Sequence, residues 1–142
     1  MGTDELRDYL EGNWPLLKQS ILEGSYLPQP VRKVVIPKPQ GGTGNLGIST
    51  VVDRLFAQAI SQWLSAKYEP EFSNYSYGFR EGRSAHQAVL QARKYPKEGK
   101  EWIIEPDLDN FFERVNHDKL MGLLAKRIGD KPTLKLITQL SE

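Results

Sequence analysis

Val52, Leu55, Phe56, Ala59, Ile60, Trp63 and Leu64 recur three and four residues apart. That spacing gathers them on one face of an α-helix, predicted over about residues 50–67. A helix with one apolar face is stable only against another layer, so the chain must fold around this stripe. The stripe reads as core rather than as a cofactor surface. Thr50 opens the helix, and Asp53 takes the capping-box position, although the box proper uses Glu or Gln. Val31 to Pro37 is rich in β-branched residues and framed by prolines, which predicts a strand with a blunted end. Pro39 to Asn45 forms a glycine-rich turn, and Leu46 to Ser49 a short returning strand. The expected class is α+β, mostly helical, with one β-hairpin and one further strand.

The remaining punctuation predicts two short helices over 4–11 and 14–23, the second capped by Asn13, with Pro15 in its first turn and Gly24 after its end. Residues 69–83 lack a period and read as a loop. Ser84 and Gln87 form a capping box for a helix over about 84–95. A strand is expected at Glu101–Glu105 and an amphipathic helix over 117–128, closed by Gly129. Asp130 and Pro132 open a last helix that is still running at Glu142. The chain is therefore expected to be part of a longer protein.

With 142 residues the chain has the length of one ordinary domain. It contains no cysteine, which excludes a disulfide framework and a cysteine-based zinc site. No apolar run approaches the ~20 residues that span a bilayer. The acidic opening "MGTDELRDYL" lacks the apolar core of a secretory signal, so a cytoplasmic protein without membrane contact is expected. The net charge of +1 conceals an asymmetry. Residues 26–100 carry eleven Lys and Arg against five Asp and Glu, whereas residues 101–142 carry six against eight. A basic middle suits a polyanion and an acidic segment suits a metal, although surfaces are also commonly charged in blocks.

Three clusters could carry chemistry. In "IIEPDLDNFFERVNHDKL", Glu105, Asp107, Asp109 and Glu113 crowd the end of the expected strand. A carboxylate there is a good hard ligand for Mg²⁺, which is usually held by one or two carboxylates and substrate phosphates. Capping a short helix is the plainer role for Asp107. At the hairpin tip, Lys38 stands beside Gly41, Gly42 and Gly44, a composition that fits a phosphate clamp or simply a turn. Arg32 and Lys38 are expected on one face of the arm. In "YSYGFREGRSAHQAV", Arg80 and Arg83 lie among Tyr75, Tyr77 and Phe79 before a helix start. That combination suits phosphates and stacked bases, or a tyrosine-rich loop packed on the core. His86 and His117 have no spaced partner and read as polar caps or template contacts rather than as a metal pair.

Taken in order, "YLPQPVRKVVIPKPQGG", "LGIST", "VVDRLFAQAI", "YSYGFREGRSAHQAV" and "DLDNFFERVNHDKL" resemble the reverse transcriptase domain of bacterial group II intron-encoded proteins, over about residues 4–140. The resemblance implies a right-hand polymerase fold, with fingers over 1–100 and the start of the palm over 101–142. It implies an RNA-directed DNA polymerase as the parent protein, using Mg²⁺, an RNA template or intron RNA, a DNA primer and deoxynucleoside triphosphates. A homodimer is left open. By the same resemblance Asp107 is the first catalytic aspartate and metal ligand, and Phe112 the aromatic under the incoming sugar. Lys38 approaches the incoming triphosphate, Arg32 lies near nucleotide or template, and Arg80, Arg83 and His86 lie along template. Gly44 stands where relatives carry a triphosphate-gripping arginine, and Ser49 where they carry proline. Loss of one charge-assisted contact costs ~1.5–3 kcal/mol. The Tyr-Ala-Asp-Asp hairpin with the other catalytic carboxylates is absent from the chain, so the fragment is expected to be inactive. An RNA-binding maturase that assists splicing without polymerising is the alternative.

Overall fold

The computed structural model describes residues 2–37, 41–108 and 111–141, with the side chains of Asn45 and Glu113 outside that description. The class is α+β. Helix α1 (Leu6–Leu22) leads to strands β1 (Arg32–Pro37) and β2 (Thr43–Ile48), then to α2 (Val51–Tyr68) and α3 (Ala85–Ala92). A short α4 (Phe111–Arg114), α5 (His117–Ala125) and α6 (Lys131–Ser141) follow. No helix among the described residues is long and apolar enough to cross a membrane.

The two expected N-terminal helices are one. Pro15 sits inside α1, and Asn13, instead of capping a new helix, donates its side-chain amide to the Tyr9 carbonyl at 2.8 Å. Leu6, Leu17 and Ile21 pack against the core from both sides of Pro15. Burial along one face holds the helix through a residue that would break an isolated one. Gly24 ends it in the left-handed region, φ +66°. Its N–H and that of Ser25 return to the carbonyls of Ile21 and Ser20, at 3.0 and 2.7 Å. A side chain at Gly24 would be strained there.

The hairpin returns earlier than expected. β1 and β2 pair antiparallel from Arg32 opposite Ile48 to Pro37 opposite Thr43, so Gly44 lies inside the ladder opposite Ile36. Gly41 and Gly42, at φ +92° and +83°, take backbone values that complete the reversal before Thr43. This is the only sheet among the described residues.

By compactness the chain divides into two units that cut across the boundary at residue 100: residues 1–61 with 115–142, and residues 62–114. In the first, Tyr26, Val52, Phe56 and Leu136 form the core, with Ile60 and Leu140 packed on it. The Tyr26 and Phe56 rings meet edge to face, centroids 4.9 Å apart. Helix α6 packs on α1 and α5. The stripe on α2 is therefore core only in its first half: Val52 and Phe56 are buried, but Trp63 is 45% exposed. The second unit holds no buried residue among those described. Its α3 carries the expected capping box, Ser84 and Gln87 exchanging side-chain-to-backbone bonds. The expected strand Glu101–Glu105 is not formed; these residues run irregularly. Trp102, Ile103 and Ile104 are 87 to 93% exposed. β-Branched composition favours a strand, but a strand exists only where a ladder partner accepts its N–H groups, and none is described beside it.

Candidate nucleotide and nucleic-acid site

Asp107 stands exposed at the end of that irregular stretch, shortly before α4, as the sequence suggested for a carboxylate leading into a helix. Phe112 on α4 is 81% exposed and meets Phe111 edge to face at 5.4 Å. Leu108 is 70% exposed. Asp107 therefore offers an exposed hard oxygen donor, and Phe111 and Phe112 an exposed apolar pair a few residues further on. The donor chemistry fits one carboxylate's share of a Mg²⁺ site. No group of three His, Cys, Asp or Glu among the described residues is placed to hold a metal, so the other ligands of such a site would come from elsewhere. Asp109 lies outside the described residues.

Arg32 begins β1 and is exposed. Lys38, the expected nucleotide-contacting lysine, lies outside the described residues. His86 is exposed in the first turn of α3.

Arg80 has a different setting from the one its sequence context suggested. Its side chain is 6% exposed. One edge of the guanidinium donates to Glu69, from Nε at 3.0 Å and from the terminal nitrogen at 2.7 Å. The other terminal nitrogen donates to the carbonyls of Ser73 and Ser76, at 2.6 and 2.9 Å. The cation also lies over the Phe72 ring, 5.3 Å from its centroid. Arg83 repeats the arrangement, donating to the Asn74 carbonyl at 3.3 Å and lying 5.7 Å from the Tyr77 ring. The loop is wound on two guanidiniums, in a unit whose described residues form no buried apolar core. The loop is not packed on a core, as the tyrosine-rich reading had it, since Tyr75 and Phe79 are exposed; Arg80 holds it instead, because five planar donors satisfy several loop acceptors at once.

Sequence reasoning missed what this winding presents. Phe79 has φ +55° and a fully exposed side chain. A bulky residue in that region is unfavourable by ~1–2 kcal/mol and persists only where its surroundings hold it. Its neighbour Arg80 supplies those fixed points. No local signal marks such a residue.

The Arg80 hydrogen bond holds the Glu69 carboxyl below its ordinary value of 4.5. A depressed carboxylate stabilises the fold at pH values above its unfolded pKa and ceases to do so as pH falls through the lower, folded value. The loop should therefore loosen below about pH 4.5 before α6 melts. Hydrogen exchange of residues 73–79 followed from pH 6 to 3 checks this. Arg80→Ala should produce the same loosening at neutral pH, with proteolysis of the loop faster by roughly tenfold.

Asp53 was expected only as a helix-start residue. It is 3% exposed and accepts the Tyr26 hydroxyl at 2.5 Å, the Thr50 hydroxyl and the Gln29 N–H at 3.3 Å. In return its own N–H donates to Thr50 Oγ1 at 3.2 Å. Burial, then the Asp53 bond, pushes the Tyr26 phenol above its ordinary range. One carboxylate thus ties the segment before β1 to the start of α2, which fixes the foot of the hairpin. The spacing Thr50-x-x-Asp53 was a visible signal; its partners 24 and 27 residues away were not.

Comparison with known proteins agrees with the architecture. Residues 36–140 match the family model described as reverse transcriptase (RNA-dependent DNA polymerase). Protein YkfC of Escherichia coli is 36% identical over 126 residues, covering 86% of this chain and 33% of that protein. The group II intron-encoded protein LtrA of Lactococcus lactis is 38% identical over 120 residues, covering 84% and 20%. Nuclear intron maturase 1, mitochondrial, of Arabidopsis thaliana is 31% identical over 85 residues, covering 60% and 12%. The chain spans a third or less of the length of these relatives. Since the family match runs from the end of β1 through β2, α2, the Arg80 loop and Asp107, the chain belongs to the reverse transcriptase (RNA-dependent DNA polymerase) family.

Proposed function

We propose that this chain is the fingers and partial palm of a group II intron-type RNA-directed DNA polymerase. It binds RNA template and deoxynucleoside triphosphate and is inactive by itself. The reading is carried by Asp107 and Phe112, five positions apart and both exposed, in a chain of this family. Asp107 supplies one Mg²⁺ ligand and Phe112 the apolar shelf beneath the incoming sugar. The metal, when bound, stabilises the charge of the transferring phosphate. Lys38 approaches nucleotide and Arg32 nucleotide or template; Arg80, Arg83 and His86 lie along the template, Arg80 also shaping the loop that carries Arg83. A single aspartate cannot complete a two-metal site, which needs further carboxylates.

Primer extension on an RNA template with Mg²⁺ should give no product above background with this chain. Clear Mg²⁺-dependent extension would refute its inactivity. Salt-dependent binding of single-stranded RNA is the positive expectation, and its absence would count against the nucleic-acid reading.

A second reading, an RNA-binding maturase that does not polymerise, is favoured by Gly44. This residue sits in the ladder opposite Ile36 and, as glycine, has no side chain to reach a triphosphate. In the full-length protein, Gly44→Arg should raise deoxynucleotide affinity by roughly tenfold if the missing arginine is what weakens polymerisation. Strong polymerisation before the change, or no gain from it, removes the motive for the maturase reading.

A further inference from the structure

Beneath the hairpin, entirely within the first compact unit, lies a cavity of about 640 Å³. Arg32 from the start of β1 and Arg54 from the first turn of α2 both line it, with Tyr9, Tyr26, Gln29 and Thr50. No Asp or Glu is among the described residues that line it. Neither guanidinium has a side-chain hydrogen bond or ion pair among the described residues. Three wall residues, Tyr26, Gln29 and Thr50, are hydrogen-bonded to the one buried carboxylate of Asp53. The walls are thus fixed from behind by Asp53, and neither arginine is engaged in an ion pair among the described residues.

We propose that this cavity seats a backbone phosphate and its sugar from single-stranded RNA, gripped by Arg32 and Arg54. The inference rests on the nucleic-acid reading above and extends it to a place at the hairpin's foot, with Arg54 as a new contact. Guanidinium forks match the paired oxygens of a phosphodiester. The Gln29 amide and the Tyr9 hydroxyl are neutral groups of the kind that meet sugar and phosphate oxygens. The volume lies within the range of small-ligand sites, ~300–1,000 Å³. A free triphosphate fits the lining less well, because it usually arrives with Mg²⁺ and the described lining offers no carboxylate to share the metal. A diester phosphate carries one negative charge and needs no metal here.

The test uses this chain with a fluorescent single-stranded RNA of about 20 nucleotides, titrated by anisotropy at several salt concentrations. Arg54→Gln should weaken binding roughly tenfold and reduce the salt slope by about 0.7, the increment for one single-strand phosphate contact. Arg32→Gln should act similarly. Arg54→Lys should keep the slope while recovering only part of the affinity, since it retains charge but not the fork. Lys97→Gln, on an exposed turn in the second unit, should change neither. Melting curves confirm that the exposed-arginine variants fold. Unchanged RNA affinity and slope in both arginine variants overturn the site while leaving RNA binding elsewhere intact. If the unaltered chain binds no RNA, the site and the broader reading fall together. If Arg54→Gln weakens deoxynucleotide binding but not RNA binding, the cavity belongs to free nucleotide and the proposal is wrong.

Discussion

Phe56→Ala is expected to destabilise the first compact unit by about 4 kcal/mol, within the range for removing a buried aromatic ring. Phe56 is 5% exposed, and its ring meets Tyr26 edge to face at 88°. Truncation leaves a cavity between α2, the segment before β1 and α6, and also removes the ring pair, worth ~0.5–1.5 kcal/mol beyond its area. With total stabilities of ~5–15 kcal/mol, a loss of this size brings the unit close to unfolding. Urea titration followed by circular dichroism reads the effect directly. Phe56→Leu should recover more than half of it, because most of the buried volume returns. A loss below about 1 kcal/mol for the alanine variant would mean that the ring is not central to the core.

Asp53→Ala should cost about 3 kcal/mol by a different mechanism. The Tyr26 hydroxyl, the Thr50 hydroxyl and the Gln29 N–H all lose their acceptor at once. Each unsatisfied buried donor costs ~1–3 kcal/mol, discounted here because Thr50 and Gln29 lie at the edge of the cavity, where water can enter. Tyr26→Phe removes one donor and should cost only about 1 kcal/mol. The double variant, Tyr26→Phe with Asp53→Ala, should then cost less than the sum of its parts, since the hydroxyl orphaned by Asp53→Ala is gone. Strict additivity would show that the two groups are not coupled. Because Asp53 also fixes the walls around Arg54, Asp53→Ala should weaken RNA binding even under conditions where the chain remains folded.

Several features were legible because their determinants are close in sequence. The α2 stripe, the Ser84–Gln87 box and the Asp130 cap, whose carboxylate accepts the Thr133 N–H at 2.8 Å, depend on contacts within four residues. The exposed Asp107 and Phe112 were found through an ordered set of strings rather than through any one residue. The hairpin was legible as a hairpin, but not its register: Gly44 reads as turn material, and only pairing with Ile36 places it in a strand.

By itself, the order of residues determined where helices could begin, which faces were apolar and which family the chain belongs to, since caps, periodicity and motif order are local or linear properties. Tertiary structure alone decided that α1 continues through Pro15, because burial of Leu17 and Ile21 outweighs one missing hydrogen bond. It likewise decided that residues 101–105 stay unpaired, that Arg80 serves its own loop, and that Asp53 joins two segments. Each of these outcomes depends on which distant donor, acceptor or apolar surface arrives alongside, and that is a property of the folded chain in three dimensions.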